Sequence, residues 1–141
     1  MEYRKFNNTV FIRMDPGEEV LEQLMEVCVK EKIHLAKVEA LGAVSRFTVG
    51  LYDVNEKKYH SNEFVFPAEI VSLTGTVTEK EGAPYLHIHM SAADEKGHVF
   101  GGHLNQAVIS ATCEMIVTET EGKIQRIRND RTGLNQFKFD D

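Results

Sequence analysis

Cysteine is scarce in this sequence, and basic charge is outnumbered by acidic charge. Of 141 residues only Cys28 and Cys113 carry a thiol. They share no C-x-x-C spacing, and nothing suggests a disulfide framework. Cys28 falls in an amphipathic helical pattern and Cys113 in an apolar strand, so both read as buried, reduced thiols. Sixteen Lys and Arg stand against 22 Asp and Glu, a net charge of −6. That balance argues against a surface built to grip phosphate backbones. Arg126, Arg128 and Arg131 are a local exception, but Asp130 interrupts them and the segment reads as a solvated strand and tail. No apolar run approaches the roughly 20 residues of a membrane-spanning helix. The first residues, MEYRKFNNTVFIRMDPGEE, lack the basic-then-apolar pattern of a secretion signal. A cytoplasmic protein with no membrane partner is the expectation. Ser-His-Asp sets, phosphate loops, dinucleotide fingerprints, internal repeats and low-complexity segments are also missing.

The residues present suit one globular domain over 1–141: 42% are hydrophobic and 27% charged, ordinary values for a chain with a sizeable core. Thr9–Met14 reads as a strand. Asp15, Pro16 and Glu18 have the cap, first-position proline and capping-box spacing of a helix start. Val20, Leu21, Leu24, Met25, Val27 and Cys28 then form one apolar helical face, ending near Glu31-Lys32. Strands are predicted over 35–41 and 46–52, around a bend at Gly42–Ser45. Further strands are predicted over 59–66, 69–79, 84–90 and 98–103, with Gly75 as a candidate bulge. A last hairpin joins 111–118 to 123–128 across Glu121-Gly122, followed by a polar, loosely ordered tail at 129–141. One helix and many strands with short turns give an α+β fold: a mainly antiparallel sheet with one principal helix on one face. Such a helix leaves apolar strand surface uncovered, which favours association.

The chemistry gathers between Pro84 and Glu114. Side chains two apart on a strand share a face, about 7 Å apart along the chain, so His87 and His89 project together. His103 follows on the return strand, after the Asp94–Gly97 turn, and Gly101-Gly102 lets the backbone approach closely there. Three imidazoles with an open fourth position match zinc sites of the catalytic type; Ni²⁺, Co²⁺ and Fe²⁺ are also accommodated. By spacing alone, ordinary strand histidines are an equal reading. His34, His60 and His98 lie outside this geometry. Glu114 and Glu39 sit in apolar segments, where each is either an outward-facing residue or a group that orients a ligand imidazole. A cupin-like barrel also pairs His-x-His with a later histidine, but the Pro-x-Gly expected before His103 is absent.

Three runs carry a specific resemblance. Leu41-Gly-Ala-Val-Ser45, Glu69-Ile-Val-Ser-Leu-Thr-Gly75, and His87-Ile-His89-Met-Ser91 with Asp94, Gly97 and Phe100-Gly-Gly-His-Leu104 resemble the plants-and-prokaryotes conserved (PPC) domain over about residues 8–128. The resemblance implies an α+β homotrimer, and for stand-alone prokaryotic members a metal held at positions matching His87, His89 and His103. A small ligand could then take the open metal position. Plant members carry the domain behind AT-hook motifs. The Arg-Gly-Arg core of that motif is absent here, which removes the basis for direct DNA contact. The alternative is an oligomeric regulatory or DNA-associated module with structural histidines. The residues do not specify a reaction.

Overall fold

The computed structural model describes residues 1–139. In chain order the elements are β1 (Glu2–Phe6), β2 (Thr9–Met14), α1 (Val20–Glu31), β3 (Ala36–Asp53), β4 (Lys58–Lys80), β5 (Ala83–Ala93), β6 (Val99–Glu119), β7 (Gln125–Arg128) and β8 (Asn135–Lys138). The sheet is antiparallel apart from one parallel pairing, β4 with β7 at Glu79 and Gln125. β3 pairs with both β4 and β6, and β5 also pairs with both, so β3, β4, β5 and β6 close into a ring. β1 and β2 extend the sheet beyond β6. One principal helix on a mainly antiparallel sheet is the α+β architecture expected.

The helix starts later than its capping signals suggest. Glu18 does accept the Asp15 N–H at 2.8 Å, but Gly17 takes φ +88° and turns the chain off a helical path. Glu19 is the true cap. One of its carboxylate oxygens accepts the Glu22 N–H and the other the Ala107 N–H, both at 2.8 Å, so a single side chain both starts α1 and ties it to β6. Lys32, in the left-handed region, ends the helix. The buried stripe Val20, Leu24, Val27 and Cys28 joins Val10, Ile12 and Met14 of β2, Val38 of β3, and Met115 and Val117 of β6 in one core. Each fully buried aliphatic side chain there contributes about 1.5–3 kcal/mol.

Several expected breaks are absent. Gly42–Ser45 is not a bend between strands; β3 runs through it with register shifts at Ala40/Gly42 and Val44/Arg46. The gap between the strands predicted over 59–66 and 69–79 is absent too, although it contains Pro67. That proline lies in β4 opposite the second shift, where a missing N–H removes no ladder bond. The shift between β4 and β5 falls at Ile70/Ser72 rather than at Gly75. β6 continues without interruption from the histidine region to Glu119. Glu121-Gly122 does not make a hairpin back onto β6. The chain instead crosses to β4, and the segment read as a loose tail returns as β8 to pair with β7. Among the described residues no helix is long and apolar enough to cross a membrane.

Candidate metal centre

Alternation along β5 sets the site. Ile88, Met90 and Ala92 are buried in the core, which turns His87, His89 and Ser91 to the other face. His103 of β6 lies directly opposite His89. The three rings converge, with centroids 5.2 Å apart for His87–His89, 5.3 Å for His87–His103 and 5.5 Å for His89–His103. One ring nitrogen from each lies within 4.8 Å of the others. Zinc–nitrogen bonds of ~2.0–2.1 Å need nitrogens about 3.3 Å apart in a tetrahedral shell, a closure that side-chain rotation can provide. Gly102 places β6 against β3, since a Cβ there would meet the Gly50 carbonyl at 2.6 Å.

Burial lowers the His87 pKa to about 4, with further lowering from His103, Arg126 and His89. Burial, then His89, also lowers that of His103. Both imidazoles are therefore neutral at neutral pH, the form that ligates a cation. Tyr59 supports the third ring, meeting His103 edge-on at 6.2 Å while its hydroxyl donates to Asn105 Oδ1 at 2.6 Å.

The other histidines stand apart. His98 bonds Asp94 within the turn at 3.0 Å, His60 lies 3.5 Å from Glu56, and His34 bonds Glu79 at 2.9 Å. Neither candidate carboxylate supports the cluster. Glu39 shares the outer face, but Thr74 of β4 separates it from His89, and it pairs with Lys37 at 2.8 Å. Glu114 sits between Arg13 of β2 and Leu41 of β3, farther along β6 than the Val99–His103 stretch that pairs with β5. Cys28 and Cys113 are buried free thiols, their pKa values pushed up to about 12 by burial; both are inert.

Sequence reasoning passed over Tyr59 and read Arg126 as part of a solvated strand, whereas the structure half-buries it. Arg126 donates from Nε to Thr78 Oγ1 at 2.9 Å, from Nη2 to Thr76 Oγ1 at 3.2 Å and from Nη1 to the Asn135 carbonyl at 3.3 Å. It lies over the rings of Phe137 and Tyr85, 4.4 Å and 4.9 Å from their centroids. Thr76 is the cross-strand neighbour of His87, so this guanidinium borders the cluster. Local sequence held no signal for it, because its position depends on the unforeseen pairing of β7 with β4.

Over residues 1–121 the sequence matches the Plants and Prokaryotes Conserved (PCC, also written PPC) domain. The chain belongs to this family. The PCC region contains all three histidines, whereas the β7–β8 hairpin with Arg126 lies beyond the matched residues. Among solved structures, a metal-containing protein of Archaeoglobus fulgidus is 34% identical, with a TM-score of 0.88 over 98% of this chain and 96% of that one. A PPC protein of Pyrococcus horikoshii is 28% identical, with a TM-score of 0.85 over 99% and 95%. A protein of Bacteroides thetaiotaomicron, provisionally described as DNA-binding, is 25% identical, with a TM-score of 0.95 over 98% and 96%. A curated relative, the bifunctional protein GlmU of Synechococcus sp. (strain JA-3-3Ab), is 27% identical over 132 residues; these are 92% of this chain and 20% of that protein's length. The chain thus spans about a fifth of that relative.

Proposed function

We propose that this PCC-domain chain is a cytoplasmic, homotrimeric protein that holds one divalent metal per chain between His87, His89 and His103, with zinc as the metal. The observation that carries the reading is the convergence of three ring nitrogens within 4.8 Å on a face where burial keeps His87 and His103 neutral. An all-nitrogen, three-imidazole donor set fits zinc better than Mg²⁺ or Ca²⁺, which prefer oxygen. The metal, when bound, would supply a Lewis-acidic centre with an open position. The description of the Archaeoglobus fulgidus relative as metal-containing adds support. Elemental analysis of protein prepared without chelator is expected to give one zinc per chain. A metal-free result after incubation with zinc and desalting sinks the reading.

The trimer reading draws on the outer face of β1, β2, β3 and β6. Phe6, Phe11, Leu41 and Ile116 are exposed there and line a cleft of about 750 Å³, the kind of apolar patch that association covers. Light scattering coupled to gel filtration is expected to return three times the 16.0 kDa chain mass; a monomer at micromolar concentration overturns it.

The Bacteroides relative's description favours a second reading, a DNA-associated module. The net charge of −6 weighs against direct DNA contact.

A further inference from the structure

The outer face of β4 and β5 is a ladder of polar pairs: Thr78 with Tyr85, Thr76 with His87, Thr74 with His89, and Ser72 with Ser91. Arg126 closes one end of it. At the other end Ser72, Thr74, His89, Ser91, Gly101 and Gly102 line an open cleft of about 250 Å³.

Arg126 is unusual in what it binds. Its three hydrogen bonds all end on neutral oxygens: two threonine hydroxyls and one carbonyl. Among the described residues the arginine ion pairs are those of Arg13 and Arg46. A part-buried guanidinium without a carboxylate partner is a cation that lacks its counter-ion. Three bonds also leave N–H donors unused, since a guanidinium carries more than three. The two rings and three acceptors hold its plane fixed, so little freedom is lost when an anion docks.

We propose that this strip binds a small carboxylate, held between the Arg126 guanidinium and the three-histidine cluster, with the Thr74 and Thr76 hydroxyls as flanking donors. The proposal rests on the metal reading for the second anchor of the ligand. A guanidinium fork pairs with a carboxylate through two parallel bonds. The planar guanidinium matches the planar two-oxygen edge of a carboxylate.

Acetate is the probe, and acetamide, of the same shape without the charge, is the control. Each is titrated into zinc-loaded and metal-free protein while the Arg126 Nε–H resonance is followed by NMR. The expected result is a saturable shift of that resonance with acetate and none with acetamide, with acetate bound more tightly in the zinc-loaded protein. Arg126→Lys keeps the charge but loses the fork, and is expected to weaken acetate binding at least tenfold while zinc content stays the same. Silence of the Arg126 resonance toward acetate overturns the proposal, as does an equal response to acetamide or parental affinity in Arg126→Lys. If the protein takes no zinc, the metal reading fails separately and the metal-free titration decides this one by the same criteria. Should Arg126→Lys loosen the β7–β8 hairpin, the parent titration still decides.

Discussion

Zinc affinity is expected to fall by at least about 100-fold when any one of His87, His89 or His103 is replaced by alanine, because even residues that merely orient metal ligands are worth 10–100-fold. The triple replacement removes binding at micromolar zinc. The fold should survive all of these changes. The three rings stand on the outer face of β5 and β6, while the core beneath consists of Ile88, Met90, Ala92 and Leu104. The unfolding midpoint of the metal-free triple variant at neutral pH therefore stays close to that of the metal-free parent. The two proteins part company in acid. His87 has a folded pKa of about 4, against 6.5 for the free group. Between those values the unfolded chain takes up a proton that the folded chain refuses, so metal-free parent stability falls as pH drops from about 6.5 to about 4. His103, lowered in the same direction, adds to the slope. The triple variant lacks both groups and should show a flatter profile across that window. Urea titrations at a series of pH values, with and without zinc, measure all of this. Unchanged zinc affinity in the triple variant removes the metal assignment, and identical acid slopes remove the buried-histidine account.

The site was more legible in the sequence than the connections around it. His87, His89 and His103 could be placed together because strand alternation and a tight turn are local rules, and Asp94–Gly97 is a strong turn signal whose Gly97 takes φ +81°. The strand boundaries failed where local rules mislead. Gly42 and Pro67 resemble terminators, yet both lie beside register shifts in long, bulged strands, and only the partner strand reveals that. Glu39 and Glu114 are acidic residues in apolar runs, where an outward-facing position and a role beside a ligand imidazole were both open. Both alternate outward, and their distance from the cluster depends on a strand order that no short segment encodes. Arg126 was hidden for the same reason. The crossing from β6 to β4 is a long-range event, fixed by Glu79. That carboxylate accepts from Gln125 at 3.0 Å and bonds His34 at 2.9 Å, with Lys123 Nζ at 3.5 Å.

Gly75→Ala is expected to cost about 3 kcal/mol of stability, at the upper end for overpacking, and to weaken zinc binding at least tenfold in the fraction that folds. Gly75 faces Ile88 across the β4–β5 ladder. A Cβ there would lie 2.2 Å from the His87 carbonyl oxygen, 2.5 Å from Ile88 Cδ1 and 2.8 Å from Ile88 Cα. Two of those three atoms are backbone and cannot rotate away, so β5 itself must move off β4. The displaced residue is His87, and His103 on β6 does not follow, because β3 holds β6 from its other side at Gly50. Convergence of the three nitrogens is lost even where the fold persists. Gly82→Ala is the matched control. Nothing lies within 4 Å of its added methyl, so its cost comes from the positive φ of +83° and amounts to about 1–2 kcal/mol, with zinc affinity unchanged. Chemical denaturation gives the stability difference, and competition with a zinc-binding dye gives the affinity. If Gly75→Ala costs no more than Gly82→Ala and keeps parental zinc affinity, the close approach of β4 to β5 is not what holds the histidine pair in register with His103.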